Sequence, residues 1–494
     1  MTGEGWLGAR AQPSPPASAR SPGDQSLAST ATVRRRLPFI LLAAVIALSF
    51  GLNARVAANP RSAYQSADER SYGKLAVDIA DNQRYGGAST KMREPLHWPP
   101  GAPVLFAVGY KLFGTAHDKA TYDIRAVYWE QALLTTGTTA LAAALAWILV
   151  GPWAGLLAGL LVGTYPPLIG ATGDQLSEPL GAFLLMGAFV ALALALKRRA
   201  WKYFVLTGAL FGLAILTRTD LLPVPFLITG AATLIALVRR RPRQALPWIA
   251  LGATTVVVLA PWTFYASREE GRFIPVTKGS AAALFVGTYL PGGGTTIGMK
   301  EHLETQLRAK HPEYGGIKTY KIPAADALEL FAAKHPELTR DQAISKEAKK
   351  NLIHYSTTQP LQFARMQWAK AKRMWFFYYR GGGVHYISTP MRIWQVFLVI
   401  AGTVGILAGL IRRRDPLLAC VLIALAYGTL IHTIVVSQAR YNVPLMPTLI
   451  AAGVAGWFLA FQRRRASEAE TATMPTWKSE PSASGAPSAT APAV

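Results

Sequence analysis

With one cysteine in 494 residues, the chain has no partner for an intrachain disulfide and no thiol set for a metal. Cys420 lies in an apolar run, and its expected role is packing. Acidic groups are also scarce: 27 Asp and Glu stand against 51 Lys and Arg, a formal net charge of +24. A soluble protein that basic would suggest nucleic acid, so the placement of the charge decides the class. There is no basic groove with interleaved aromatics of the kind single-strand binders use, which argues against a nucleic-acid partner. Dense metal-ligand spacing is missing as well. Asp68, Glu69 and His97 could gather a divalent ion, but no cofactor is required by the pattern.

What the chain does have is apolar length, with 51% of residues hydrophobic. Eleven apolar segments run at about 37–57, 101–115, 126–149, 152–170, 176–196, 202–217, 219–237, 245–263, 391–411, 416–436 and 443–461. Most approach the roughly 20 residues that cross a bilayer as a helix. Basic clusters abut them: Arg34–Arg36, Lys197–Arg199, Arg239–Arg243, Arg412–Arg414 and Arg463–Arg465. This is the positive-inside pattern. The expected fold class is an all-α polytopic membrane bundle of ten or eleven segments, in the plasma membrane, with both termini cytoplasmic.

If every basic cluster is inside, an even number of crossings separates neighbouring clusters. The rule works downstream of Lys197. It strains between Arg36 and Lys197, where five apolar segments occur; the shortest, 101–115, begins "WPPGAP" and reads as re-entrant or a half-span. The resulting division is a disordered tail 1–36, a first membrane module 37–263 containing an outer loop 58–100, an outer loop region 264–390 with amphipathic helices, closing membrane segments 391–461, and a disordered tail 462–494. Within 264–390, "MQWAKAKRMWFFYYRGGG" offers Trp368, Trp375, Phe376, Tyr378 and Tyr379 to the membrane interface.

Ionisable groups collect at the outer turns of this topology. "DERSYGKLA" sets Asp68 and Tyr72 at i,i+4 spacing with Glu69 beside them; a carboxylate here could act as general base on an acceptor hydroxyl. "MREPLHWPPGAP" carries Arg93 and His97, and a guanidinium matches phosphate oxygens. "TGDQLSEPLG" and "LTRTDLLP" place Asp174, Glu178, Arg218 and Asp220 against apolar stretches, where such groups face a bundle interior or an aqueous cavity. Taken alone, Arg218 with Asp220 or Glu178 is equally well a structural ion pair. "SQARYNVPLMP" puts Arg440 and Tyr441 at the start of the last span.

The order of these pieces resembles the GT-C superfamily of membrane glycosyltransferases, in the branch of the dolichyl-phosphate-mannose protein mannosyltransferases and the bacterial lipid A aminoarabinose transferases. The matching stretches are "DERSYGKLAVDIADNQRYG", "REPLHWPPGAPVLFAVGYKLFG", "LTGALFGLAILTRTDLLP", "APWTFYASREEGRFIPVTKGSAAALFVGTY" and "QARYNVPLMP". The resemblance implies a polyprenyl-phosphate sugar donor, an extracytoplasmic envelope glycan, lipid or protein as acceptor, and a catalytic acidic residue in the first outer loop, here Asp68 with Glu69 second. Tyr72, Arg93, His97, Asp174, Glu178, Arg218, Arg440 and Tyr441 are then the substrate-binding candidates. The alternative is a transporter or flippase of a lipid-linked or polar substrate. No internal repeat of the kind transporters show is visible, and one long outer loop breaks any symmetry.

Overall fold

A computed structural model describes residues 22–59, 66–81, 84–86, 94–113, 125–377 and 389–462, with side chains from Leu37 onward. Arg93, Tyr378, Tyr379 and most of both expected tails lie outside the described residues. The described residues form helices and no strands.

α1 (Pro22–Ala57) carries the first apolar run. It starts upstream of that run, inside the segment read from sequence as tail, because no glycine or proline interrupts residues 24–37 and a helix once nucleated propagates cheaply. α2 (Ala67–Ala80) and α3 (Gly101–Phe113) follow and pack on one another through Tyr72, Ala76, Phe106 and Tyr110. At 13 residues α3 is only about 20 Å long, short of the roughly 30 Å hydrocarbon core. Its Gly101 sits against Thr217, and its Gly109 against Glu130.

α4 (Arg125–Leu149) and α5 (Pro152–Gly163) are antiparallel: Gly155 meets Ala143 and Trp147, while Gly163 meets Thr139. α5 breaks at Thr164–Tyr165, ahead of two prolines, and resumes as α6 (Pro166–Ala171). α7 (Glu178–Arg198) returns. Of these, α1 (from Leu37), α4 and α7 are each long and apolar enough to cross a membrane, and α5 is a shorter apolar helix.

α8 (Trp201–Thr217) leads through a 3₁₀ turn into α9 (Pro223–Val238), and α10 (Leu246–Glu270) packs on both and runs parallel to α8, with Gly208 on Leu251 and Gly212 on Val258. α11 (Ser280–Thr288), α12 (Thr296–His302), α13 (Glu304–Lys310), α14 (Ala324–Ala332) and α15 (Arg340–Thr358) bury their own small core around Phe285, Met299, Leu307, Leu328 and Ile344. α16 (Pro360–Phe376) is amphipathic: Trp368 is 60% exposed and Trp375 only 9%. Its Lys370 is fully buried, with Nζ donating to the carbonyl oxygens of Gly287 at 2.8 Å, Ile434 at 3.3 Å and Thr433. A cation there meets the negative ends of two helices.

α17 (Thr389–Arg413), α18 (Pro416–Ile434) and α19 (Met446–Phe461) complete the bundle. α17 and α19 run parallel with glycines in contact, Gly402 and Gly405 meeting Gly453 and Gly405 also meeting Gly456. Small residues let helices approach closely where apolar burial gives no drive. Cys420 is buried in the main apolar core, where packing was expected of it. Seven helices among the described residues are long and apolar enough to cross a membrane, and the shorter α3, α5, α8 and α19 are also apolar.

Candidate active site

The polar residues gather at the helix ends remote from the arginine clusters. α7 begins with Glu178 and ends in Lys197 and Arg198; α9 follows Asp220 and ends before Arg239; α18 begins after Arg414 and carries His432 in its last turn. Each of these helices therefore separates the orienting charge from the site.

Local chemistry places the first carboxylates. Ser66 caps α2, its Oγ accepting from Glu69 N at 3.2 Å, so Asp68 and Glu69 occupy the first turn, where the helix dipole favours negative charge. Glu69 is buried, whereas Asp68 is partly open. Tyr72, one turn on, packs its ring 5.3 Å from that of Trp98 and hydrogen-bonds Ser177. Burial pushes the Tyr72 phenol well above its ordinary value, so it stays neutral.

Six side chains then form one line in which carboxylates alternate with nitrogen bases. His432 Nε2 lies 3.2 Å from Asp220 Oδ2. The same Asp220 oxygen accepts from Arg218 Nη2 at 3.1 Å. Arg218 Nη1 is 3.3 Å from Glu178 Oε1 and 3.5 Å from Ser177 Oγ. Arg440 Nε is 3.8 Å from that Glu178 oxygen, and its Nη2 forms an ion pair with Asp68. Glu178 and Arg218 are nearly fully buried. Buried charges persist when each has a partner, and removing one strands another.

Tyr441 is the hub of this line. Its ring stacks on His432 at 4.7 Å, while the guanidinium carbons of Arg218 and Arg440 stand 5.8 and 5.6 Å from its centroid. Such cation–π contacts fix the direction of both forks. The 3₁₀ turn Ala439–Asn442 that presents Arg440 and Tyr441 is anchored by Asn442 Nδ2, donating to Met374 O at 2.6 Å. Gly181 on α7 makes room for Arg218, since a Cβ there would fall 2.6 Å from Arg218 Cδ.

Of the expected residues, Asp68, Tyr72, Glu178, Arg218, Arg440 and Tyr441 meet, joined by Asp220, and Glu69 is their neighbour on α2. His97 is not brought into the line. It packs edge-on against Trp98 with centroids 4.7 Å apart and against Gly279, and burial holds its imidazole below the ordinary value. The adjoining Glu94 is tied to Arg340 at 2.7 Å, so this segment docks the α11–α15 unit. Asp174 is buried in the turn before α7, its carbonyl accepting from Gln131 Nε2. Neither residue has an ion pair with the line just described among the contacts found for the described residues. His97 faces a packing contact that hydropathy along the chain does not reveal. No group of three His, Cys, Asp or Glu positioned for a metal occurs among the described residues.

Sequence reasoning overlooked His432 and Ser177. An imidazole inside "IALAYGTLIHTIVV" is itself a signal, because ionisable groups in spans are costly. Ser177 carried none. Next to this site, α16–α19 enclose an apolar groove of about 260 Å³ lined by Trp375, Phe376, Ile406, Leu422 and Leu449. It reaches Thr429, whose Oγ1 accepts from Trp375 Nε1 at 3.0 Å, one turn before His432.

Residues 97–265 match the family model of the dolichyl-phosphate-mannose-protein mannosyltransferases. Among solved structures, the chain is similar to Archaeoglobus fulgidus oligosaccharyltransferase AglB in complex with an inhibitory peptide and a dolichol-phosphate. That match has 14% identity and a TM-score of 0.52, covering 87% of this chain and 50% of the other. The same archaeal enzyme in the apo form gives 14% identity and a TM-score of 0.50, covering 85% and 50%. ArnT from Cupriavidus metallidurans bound to undecaprenyl phosphate gives 15% identity, covering 85% and 77%, at a TM-score of 0.38. The chain thus spans about half the length of the archaeal enzymes it matches. No curated protein matches it. The fold is that of the GT-C membrane glycosyltransferases.

Proposed function

We propose that this GT-C protein transfers a sugar from a polyprenyl-phosphate donor to an acceptor on the extracytoplasmic side of the cell membrane. The observation that carries the reading is the line from Asp68 to His432, at helix ends remote from the arginine clusters and beside an apolar groove. A lipid phosphate needs both an apolar channel and cations at its head. The dolichol-phosphate in the AglB complex is consistent with such a donor.

In the proposed reaction the acceptor hydroxyl attacks the anomeric carbon as the bond from that carbon to the phosphate oxygen breaks. The hydroxyl proton passes to a carboxylate, with Asp68 the candidate base and Glu69 second. Polyprenyl phosphate departs with the bonding electron pair, and Arg218 and Arg440 oppose the charge that develops on it. Preorganised cations lower a barrier most where charge appears in the transition state. A single displacement inverts the anomeric centre, and no covalent nucleophile is required. A divalent metal is not needed by this scheme, since two guanidiniums already stand beside the carboxylates.

The test is transfer of radiolabelled sugar from polyprenyl-phosphate donors by the purified chain in detergent. Mass spectrometry of envelope glycans, lipids and proteins from a deletion strain would identify the acceptor class. Transfer by wild type and its loss in Asp68→Asn support the assignment. Full transfer by both Asp68→Asn and Glu69→Gln would refute the site.

A further inference from the structure

Residues 172–177 join α6 to α7, and this turn sets where α7 begins. The first residue of α7 is Glu178, whose Oε1 lies 3.3 Å from Arg218 Nη1 and 3.8 Å from Arg440 Nε. Ser177 precedes it, facing the same Arg218 Nη1 at 3.5 Å and hydrogen-bonding Tyr72. With its hydroxyl so placed, Ser177 makes no side-chain cap to α7. The position of the carboxylate between the two arginines therefore depends on what else holds the turn.

Buried side chains of α1, α3 and α4 hold it. Thr172 Oγ1 donates to Asn53 Oδ1 of α1 at 2.8 Å and lies 3.0 Å from Thr135 Oγ1 of α4. One helical turn before Thr135, Gln131 Nε2 donates to Asp174 O, the carbonyl oxygen that also accepts from Leu176 N at 2.8 Å. Gln175 Nε2 donates to Tyr110 Oη of α3 at 2.7 Å. Asn53, Gln131, Thr135, Thr172 and Gln175 are all buried. Amides and hydroxyls are costly in an apolar interior unless bonded. A bond within one helix would satisfy such a group, as Thr138 of α4 shows by donating to Leu134 O at 2.8 Å. Gln131 and Thr172 instead bond across elements, and their bonds converge on the one turn that delivers Glu178.

We infer that Gln131, together with Thr172 as held by Asn53 and Thr135, positions Glu178 for sugar transfer. This rests on the glycosyl-transfer reading above. Both are positioning residues and act through the turn: they keep Glu178 where it meets Arg218 and Arg440, so that the two forks stay aimed at the charge developing on the departing phosphate. A shift of the turn by on the order of 1 Å would move the carboxylate from both guanidiniums at once, and misplacement of that size costs about 10² in rate.

Steady-state kinetics of the purified full chain test this, with a panel of radiolabelled polyprenyl-phosphate hexoses and pentoses as donors and an envelope extract as acceptor. Gln131→Met keeps the length of the side chain and removes the donor. It is expected to lower kcat by about 10- to 100-fold, with a smaller change in KM for the donor, since the forks oppose charge that appears in the transition state. Thr172→Val removes the hydroxyl, is expected to act in the same direction, and carries the test if the thermal midpoint shows that Gln131→Met does not fold. Thr138→Val, which removes a buried hydroxyl from the same helix, is expected to leave kcat unchanged. The readout that a purely structural role would not move is the Glu178→Gln background, where Arg218 and Arg440 keep Asp220 and Asp68 as partners. There Gln131→Met or Thr172→Val should cost less than about twofold. The same fold-loss in both backgrounds, an unchanged kcat in both turn variants, or an equal loss in Thr138→Val overturns the inference and leaves the transferase reading intact. Absence of transfer by wild type from every donor overturns both.

Discussion

Arg440 and Asp68 are 372 residues apart in sequence and form an ion pair that joins the turn before α19 to the first turn of α2. The pair ties the first loop to the last membrane segment. It also means that the Asp68 carboxylate is held in one orientation by a fork that is itself aimed by Tyr441.

Asp68→Asn is expected to lower the rate of sugar transfer by about 10² to 10⁴, the range of a lost general base. Arg440→Lys keeps the charge but not the fork geometry and is expected to impair transfer as well. Steady-state kinetics of both single variants and the double variant check this. The double variant should fall by less than the product of the two, because each residue acts through the other.

Gly181→Ala is a test of geometry without any change of charge. The added methyl would stand 2.6 Å from Arg218 Cδ and push the guanidinium off Glu178 and Asp220. Transfer is expected to fall by about 10² from a shift on the order of 1 Å, with the helix itself retained. Activity alongside circular dichroism separates the two outcomes.

The contact between α17 and α19 predicts a stability effect remote from the chemistry. A Cβ on Gly405 would meet the carbonyl oxygen of Gly453 at 2.2 Å, and one on Gly456 would meet that of Gly405 at 2.0 Å. Gly405→Val or Gly456→Val should cost about 1–3 kcal/mol through forced separation of the helices. Thermal unfolding in detergent, compared with Gly230→Val, where a Cβ meets nothing within 4 Å, measures it.

His97 gives a pH dependence of known sign. Burial lowers its folded value below the ordinary 6.5, so between the two the unfolded chain binds a proton that the folded chain does not. Its contribution is fully present above the ordinary value and is lost as pH falls from there toward the folded value. Thermal midpoints across the acid range should therefore fall less steeply in His97→Gln than in wild type.

The sequence by itself determined the helical membrane bundle, the places where the chain turns, and the segregation of arginine clusters from mixed acids and bases. Those features follow from hydropathy and charge taken a few residues at a time, and the bilayer reads them in the same way. The tertiary structure decided which turns meet. Arg218 had two carboxylates within reach on paper and binds both; Arg440 had none and took Asp68; His97, chosen by its place beside "WPPG", faces a packing contact instead. It also decided that α3 lies beside α2 and α4, and that His432 completes the line. Such pairings depend on how each helix is rotated and how closely it approaches its neighbours. That is set by side chains scattered across the whole chain, such as Gly181, Gly405 and Tyr441, and so cannot be read from any single stretch of it.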